Sequence, residues 1–280
     1  MSAFGGASVR EALDSAVVAI TAAGSETPRL DAEVLLAAAL GIDRTALFLD
    51  PAREVTGPAV RAFQDAVRRR SSQREPVAYI TGTRGFRHIE LAVDARVLVP
   101  RPETELLVEI GVELLAEGAR VADVGTGSGA VALALASERP DLAVYATDVS
   151  ADALEVARAN AARLGLDRVA FAHGDLLAGL AEVDAVLSNP PYVAESERAA
   201  LAPEITRHEP PGALFAGVDG LDVIRRLVPA AAAAGAPLLA IELGAGQAPA
   251  VAALMREAGF ADVRARRDLA GIERVVVGRR

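Results

Sequence analysis

The regular alternation of apolar runs and amphipathic segments after residue 120 constrains the fold more than any other feature of the sequence. The apolar runs are predicted strands, and they cover residues 121–124, 142–147, 169–172, 183–187 and 238–243. The amphipathic segments predict helices over residues 130–138, 152–164, 221–234 and 247–258. Such alternation is typical of a mostly parallel sheet with helices on both faces. Two final apolar runs, 263–265 and 274–277, have no helix between them and predict an antiparallel end to the sheet.

The N-terminal part of the chain has a different, helical pattern. Apolar residues recur at helical spacing from Val9 to Ile20, and Pro28 and Pro58 stand where further helices can begin. We therefore predict three or four helices that form a separate domain over residues 1–75. Such a domain is either a partner-binding module or a structural cap, and its residues do not distinguish the two.

Residues 76–100 are predicted to link this domain to the α/β domain, which takes up residues 101–280. Residues 86–93 alternate in part, and residues 97–99 follow after Asp94 and Ala95. This pattern predicts a β-hairpin in the linker. The segment from Arg101 to Glu105 that follows suits the beginning of a helix and could also form one wall of a substrate site.

Composition excludes several kinds of chemistry. The chain has no cysteine, and all 29 of its basic residues are arginine, so disulfides, thiolate nucleophiles and Schiff-base lysines are excluded. Three histidines without ligand spacing predict no metal site. A net charge of −9 argues against direct binding to a nucleic-acid backbone. Because no apolar run is long enough to span a membrane, we expect a cytoplasmic protein that does not bind membranes.

A glycine-rich loop follows the first predicted strand of the α/β domain. It contains Gly125, Thr126, Gly127, Ser128 and Gly129 and leads into a predicted helix. Glycines allow close approach of a ligand to the backbone, and a helix N-terminus offers free N–H groups. Taken alone, this pattern is also compatible with a dinucleotide site.

Two acidic residues end the next two predicted strands. Asp148 ends the second strand, where a carboxylate can accept hydrogen bonds from both hydroxyls of a ribose. Asp175 ends the third strand and could accept a hydrogen bond from an adenine amino group, while Leu176 could pack on the adenine face. Each acid could instead serve only its local turn or helix cap.

The fourth predicted strand ends in Asn189, Pro190, Pro191 and Tyr192. Asparagine has a side-chain oxygen that accepts hydrogen bonds, and both prolines keep their carbonyls on a restricted backbone. The tetrapeptide therefore offers a rigid set of acceptors beside an aromatic ring. Such a set suits a planar amino group, although a proline-rich turn would have the same sequence.

These four strand ends should meet at one edge of the sheet. A nicotinamide dehydrogenase would explain the glycine loop and the first acid but not the tetrapeptide. Methyl transfer explains all four, with S-adenosylmethionine held by the first three and an amino group held by the fourth.

From about residue 76 to the end, the chain resembles the protein-(glutamine-N5) methyltransferases of peptide chain release factors. The resemblance rests on segments 76–82, 101–105, 123–129, 189–192, 209–220, 241–247 and 268–274. It departs from the family's pattern at Gly85-Phe86-Arg87 and at Leu176. The resemblance implies a class I S-adenosylmethionine-dependent methyltransferase domain with a seven-stranded, Rossmann-like sheet, preceded by a helical substrate-recognition domain.

The resemblance also implies the reaction. The substrate would be the glutamine of the Gly-Gly-Gln motif of class 1 release factors, and the second product S-adenosylhomocysteine. Asn189, Pro190 and Tyr192 would be catalytic, Pro191 would help to bind the substrate, and Asn189 would also contact the cofactor. We expect a monomer.

Two alternatives remain open at this level. An adenine-N6 or guanine-N2 nucleic-acid methyltransferase would need the same acceptors, but it would also have to grip and often flip a base. A binding protein that keeps the fold without activity is the other alternative.

Overall fold

A computed structural model of the chain describes residues 7–180 and 182–280. The described α-helices are α1 (Val9–Ala22), α2 (Pro28–Leu40), α3 (Arg44–Leu49), α4 (Pro58–Arg68), α5 (Val77–Thr81), α6 (Glu105–Leu114), α7 (Ala130–Glu138), α8 (Ala151–Leu164), α9 (Pro203–His208), α10 (Asp222–Ala233) and α11 (Ala248–Glu257). The described strands are β1 (Thr83–Phe86), β2 (Ile89–Ala92), β3 (Arg120–Val124), β4 (Ala143–Asp148), β5 (Ala170–His173), β6 (Ala185–Ser188), β7 (Leu238–Glu242), β8 (Asp262–Arg267) and β9 (Glu273–Arg279).

The chain divides into two compact units. The first contains the residues through Gly82 together with Ala202–His208, and the second contains Thr83–Leu201 and Glu209–Arg280. The hairpin β1–β2 therefore belongs to the second unit. The short helix α9 belongs to the first unit, although it lies within the α/β part of the sequence.

The first unit is a helical bundle whose ends follow the local sequence. Ser8 caps α1 through a reciprocal pair of hydrogen bonds with Glu11. Pro28 begins α2, and Gly41 ends it in the left-handed conformation. Its core is formed by apolar side chains of the first four helices, among them Leu13, Ile20, Leu35, Leu36, Leu47 and Phe63.

A buried ion pair also belongs to the first unit. Arg70 lies in a π-helical turn after α4 and donates to Asp31 of α2 at 2.7 Å and to Glu204 of α9 at 3.0 Å. The side chains of Arg70 and Asp31 are only 6% and 8% exposed. These contacts attach α9 to the helices of the first unit.

The second unit contains the predicted sheet. Its strand order is β5-β4-β3-β6-β7-β9-β8. The pairs from β5 to β7 are parallel, and β9 is antiparallel to both of its neighbours. This arrangement confirms a mostly parallel seven-stranded sheet with an antiparallel end. The central strands β6 and β7 are buried along their whole length, as expected when helices cover both faces.

The predicted hairpin exists, but its strands were wrongly placed. The structure pairs β1 with β2, and Phe86 lies opposite Ile89 across a turn made by Arg87 and His88. Residues 97–99 are not a strand. Arg87 adopts a positive φ of 50° in this turn, which non-glycine residues rarely do, so the turn lacks the glycine that would have marked it.

No helix among the described residues is long and apolar enough to cross a membrane.

Candidate active site

A cavity of about 490 Å³ lies in the second unit at the carboxyl ends of the central strands. The chain turns from β3 to β4 on one side and later to β6 on the other, so β3 and β6 flank the topological switch point of the sheet. Ligands of open α/β sheets bind at such points. The cavity is lined by all four predicted strand-end motifs, including residues 125–128, Asp148, Asp175, Leu176 and 189–191.

Three glycines of the glycine loop adopt left-handed backbone conformations. Gly125, Gly127 and Gly129 have φ values of 74°, 56° and 85°. A Cβ on Gly129 would lie 2.8 Å from Cδ1 of Leu133, so this position needs glycine for its space as well as its φ. A Cβ on Gly127 would meet nothing within 4 Å. Gly129 caps α7 behind the cavity, whereas Gly125 and Gly127 line it.

Asp123 stabilises the glycine loop through two hydrogen bonds. Its Oδ2 accepts a hydrogen bond of 2.7 Å from the Thr126 hydroxyl and one of 3.1 Å from the Ala132 backbone N–H. The side chain is buried, and burial raises the pKa of Asp123 to about 6 although both hydrogen bonds oppose the shift. These contacts connect the end of β3 to the first turn of α7.

Asp148 holds two backbone groups at the end of β4. Its Oδ2 accepts from the Gly127 N–H and its Oδ1 from the Ser150 N–H, each at 2.9 Å. Ser150 in turn caps α8 by accepting from the Ala153 N–H at 3.1 Å. Because each carboxylate oxygen has two lone pairs, Asp148 can hold the loop and still accept hydrogen bonds from a ligand in the cavity.

Asp175 and Leu176 form the rim of the cavity beyond β5. Arg226 of α10 donates to the Asp175 carboxylate, and both side chains are more than half exposed. Leu176 has a positive φ of 54°, and its carbonyl accepts a hydrogen bond of 2.8 Å from the Thr147 hydroxyl. The structure therefore gives Asp175 a cationic partner that the sequence pattern did not reveal.

Asn189 follows β6 directly and lies at the floor of the cavity. Its Nδ2 donates to the Thr104 hydroxyl oxygen at 3.0 Å. Its Oδ1 accepts no hydrogen bond from the described residues. Pro190 is buried, Asn189 and Pro191 are half-buried, and all three line the cavity.

Tyr192 is turned towards the next strand and lies outside the lining of the cavity. Its hydroxyl donates to Oε1 of Glu242, at the end of β7, over 3.4 Å. Burial and the Glu242 carboxylate raise the pKa of the Tyr192 phenol. A Cβ on Gly244 would lie 3.4 Å from Cδ2 of Tyr192, so the ring packs against the backbone there.

Gln247 fixes the backbone after the tetrapeptide. Its Nε2 donates to the carbonyls of Tyr192 and Asp219 at 3.0 and 3.2 Å, and its Oε1 accepts from the Gly244 N–H at 2.8 Å. A Cβ on Gly220 would lie 2.1 Å from the Tyr192 carbonyl oxygen, so glycine is required there.

Sequence reasoning did not single out Thr104 or Glu242 as a part of the site. Thr104 lies in the segment 101–105, a possible wall of a substrate site, and both residues lie in segments that carry the family resemblance. Across the described ranges, 7–180 and 182–280, no cluster of acidic and histidine side chains could hold a metal ion.

Comparison with known proteins identifies the family. Residues 11–82 match the PrmC N-terminal domain, and residues 102–211 match the methyltransferase small domain. The release factor glutamine methyltransferase of Deinococcus radiodurans is 46% identical over 97% of this chain and 98% of its own length. The proteins of that name from Rhodospirillum rubrum and Caulobacter vibrioides are each 42% identical, over 96% and 91% of this chain and over 84% and 91% of their own lengths.

The chain belongs to the release factor glutamine methyltransferase family. It is an S-adenosylmethionine-dependent methyltransferase, as the four strand-end motifs together predicted. Solved structures support the fold of this family member. The catalytic domain of hMettl16 in complex with the MAT2A 3′UTR hairpin 1 aligns with a TM-score of 0.58 at 16% identity, over 81% of this chain and 83% of that one. A methyltransferase from Pyrococcus furiosus aligns with a TM-score of 0.51 at 18% identity, over 68% of this chain and 87% of that one.

The cavity of this family member suits S-adenosylmethionine. The space beside Gly125 and Gly127 is open, so a ligand can approach their backbone closely. A Cβ at Gly127 would meet no atom within 4 Å, and one at Gly125 would meet only the Asn189 carbonyl, at 4.0 Å. Two carboxylates, Asp148 and Asp175, line the cavity and can accept hydrogen bonds from the hydroxyl and amino groups that this donor carries. The residues present therefore fit the methyl donor.

Proposed function

We propose that this protein methylates the side-chain nitrogen N5 of the glutamine in the Gly-Gly-Gln motif of class 1 peptide chain release factors. The observation that carries the proposal is the orientation of the Asn189 amide. Its Nδ2 is occupied by Thr104, so its Oδ1 remains available to accept a hydrogen bond from a substrate NH2 group. The names of the relatives support a release factor as that substrate.

The glycine loop and the two strand-end acids would hold the methyl donor. Residues Gly125 to Gly129 would bring backbone close to its amino acid part, and Asp148 would accept from its ribose hydroxyls. Asp175 would accept from the adenine amino group, and Leu176 would pack on the ring. Asn189 lines the same cavity and would contact both donor and substrate.

Asn189 and Pro190 would orient the substrate nitrogen. The lone pair of an amide nitrogen is delocalised, so the nitrogen is a poor nucleophile until its two N–H bonds are held out of the amide plane. The Asn189 Oδ1 and the Pro190 carbonyl would accept those two N–H bonds, with Pro191 and Tyr192 completing a rigid wall. Hydrogen bonds of this kind contribute most when they strengthen in the transition state.

When bound, S-adenosylmethionine would supply a methyl group attached to a positively charged sulfur. That sulfur would become a neutral thioether when the methyl group is transferred. The nitrogen forms the new bond to carbon and then loses one proton to solvent. The residues around Asn189 therefore contribute positioning and electrostatic stabilisation, and no side chain has to act as a base before transfer.

The helical unit is proposed to recognise the protein substrate. The match of residues 11–82 to the PrmC N-terminal domain supports this role. Phe48 and Leu49 of α3 are adjacent and 55% and 82% exposed, so they offer apolar surface to a protein partner. If they contact the release factor, replacing both with serine will raise KM for the release factor and leave KM for S-adenosylmethionine unchanged.

We further propose a cytoplasmic monomer that does not bind nucleic acid directly. The net charge of −9 supports the last point. A release factor acts in translation, which supports the location. Size-exclusion chromatography with light scattering tests the oligomeric state.

The test of function uses labelled S-adenosylmethionine with three acceptors: unmethylated release factor, the same factor with the motif glutamine replaced by alanine, and duplex DNA. We expect label only in the first. Label in DNA alone would support the nucleic-acid alternative, and label in none of the three would support a protein without activity.

A further inference from the structure

The side-chain amide of Asn189 is held by a network that extends away from the cavity. Asn189 donates through Nδ2 to the Thr104 hydroxyl at 3.0 Å, and Thr104 is only 4% exposed. The Thr104 hydroxyl also lies close enough to the carboxyl group of Glu242 to lower its pKa, although burial raises that pKa more. A hydroxyl has one proton to donate, so its two partners divide its donor and acceptor roles.

The sheet brings the ends of this network together. Ser188 of β6 lies opposite Ile241 of β7 in a parallel pair, and Asn189 and Glu242 are the next residues on the two strands. Thr104 ends the short turn Pro102–Thr104 before α6, and its hydroxyl accepts from Asn189. The three residues are thus contributed by separate segments that converge beneath the cavity.

Ionised Glu242 can only accept hydrogen bonds. The Thr104 hydroxyl accepts from the Asn189 NH2 group through a lone pair, so its own proton is free to point to the unpartnered Glu242 oxygen. The direction of the Asn189 NH2 group places Oδ1 on the opposite side, facing the cavity. In the reverse orientation the Asn189 NH2 group would face a substrate NH2 group, and two donors cannot bond to each other.

The hydrogen bond from the Tyr192 hydroxyl satisfies only one oxygen of the Glu242 carboxyl group. Glu242 is 1% exposed, and its Oε2 has no hydrogen-bond partner among the described residues. Burying a carboxyl group with an unsatisfied oxygen destabilises a protein, so an apolar residue would serve packing better. Besides burial, the charge of Glu103 raises the pKa of Glu242. Thr104, Tyr192 and the charge of Arg274 lower it.

We propose that Thr104 and Glu242 are positioning residues, which hold the Asn189 amide with its oxygen towards the substrate nitrogen. This inference rests on the proposed function of Asn189. It assigns Thr104 and Glu242 no contact with the reacting atoms: both would act only through Asn189.

The kinetic test compares Thr104→Val, which keeps the shape and removes the hydroxyl, with Thr104→Ser, which restores the hydroxyl. We expect Thr104→Val to lower kcat for release factor methylation at least tenfold, with KM for the release factor and Kd for S-adenosylmethionine changed less than threefold. Thr104→Ser should keep kcat within about threefold of wild type. Thr21→Val on the exposed side of α1 is the matched control. A kcat for Thr104→Val within twofold of wild type would overturn the proposal.

A spectroscopic test does not depend on activity. The chain has only two asparagines, Asn160 and Asn189, so selective ¹⁵N-asparagine labelling gives two pairs of side-chain amide signals. We expect Thr104→Val and Glu242→Gln to shift the Asn189 pair and speed its hydrogen exchange, while the Asn160 pair stays unchanged. Glu257→Gln, on the exposed face of α11, should shift neither.

The two tests separate the possible failures. If wild type does not methylate a release factor but the Asn189 signals respond to Glu242→Gln, the proposed function is wrong and the network stands. If wild type is active and the Asn189 signals do not respond to either variant, the network is wrong and the function stands. Should Thr104→Val fail to fold, Glu242→Gln alone decides the network.

Discussion

The side-chain amide of Asn160 donates a hydrogen bond of 2.9 Å to the backbone carbonyl of Ser128 in the glycine loop. Asn160 lies in the middle of α8 and is fully buried. It also exchanges two hydrogen bonds with the backbone of Ala92, at the end of the hairpin β1–β2, at 2.7 and 3.0 Å. One side chain thus connects the loop, a helix and the hairpin.

Replacing Asn160 with leucine should destabilise the protein and weaken cofactor binding. The variant leaves the Ser128 carbonyl and both Ala92 backbone groups without this partner, and each buried unsatisfied group costs about 1–3 kcal/mol. We expect the free energy of unfolding in urea to fall by about 3 kcal/mol. Calorimetry should show weaker binding of S-adenosylmethionine, because the loop loses its support. A variant with wild-type stability would show that water replaces these bonds.

The glycine loop offers a matched pair of substitutions. Gly129 and Gly165 both have a positive φ, of 85° and 66°, but only a Cβ at Gly129 meets a close neighbour. Alanine at Gly165 should cost about 1–2 kcal/mol for the backbone alone. Alanine at Gly129 should cost more, because Leu133 must also move, and it should weaken S-adenosylmethionine binding. Equal losses of unfolding free energy for the two variants would contradict the close packing at Gly129.

Glu242 should make stability fall as pH rises. Burial, the largest cause, raises the pKa of Glu242 to about 7 from a normal value of 4.5. The folded state therefore holds a proton that the unfolded state has lost. The resulting stabilisation is complete below about pH 4.5 and is lost as pH rises through about 7.

Glu242→Gln removes this dependence, and its stability relative to wild type should rise by at most about 3 kcal/mol between pH 5 and pH 8. Thermal unfolding of both proteins across this range measures the difference. A constant difference would mean that Glu242 titrates normally.

The buried ion pair of the helical unit should be sensitive to loss of one partner. Asp31→Asn leaves Arg70 without its nearest carboxylate, and breaking a buried pair in this way costs about 3–5 kcal/mol. The retained contact of Arg70 with Glu204 should keep the loss near the lower end of that range. Asp65→Asn is the control, since Asp65 and Arg68 form an ion pair in which both side chains are more than half exposed. Its effect on unfolding free energy should stay below about 1 kcal/mol.

The order of strands and helices was predictable because it depends on local periodicity. Helix α7 has the predicted bounds, and the strand before Asn189 was misplaced by only one or two residues. The hairpin was misplaced because Arg87 and His88 form its turn without glycine or asparagine, whereas Asp94 and Ala95 resemble a turn more closely.

The contacts that orient the site could not be predicted in the same way. Thr104 and Asn189 are 85 residues apart in sequence, and no local pattern relates them. Nor does the sequence show that Glu242 is buried beside them, because an acid at the end of a strand can also lie on an exposed side. Strand-end positions predicted several residues that line the cavity, although Gly129 and Tyr192 lie outside the lining. Only the packing of β6, β7 and the turn before α6 gives the Asn189 amide its orientation.

The most direct test of the central claim is the kinetics of Asn189→Ala. This variant removes the oxygen that would accept the substrate N–H and leaves the glycine loop, Asp148 and Asp175 in place. We predict that kcat for release factor methylation falls about 100-fold or more, while Kd for S-adenosylmethionine changes only a few-fold. Turnover within threefold of wild type would contradict the role of Asn189 in holding the glutamine nitrogen.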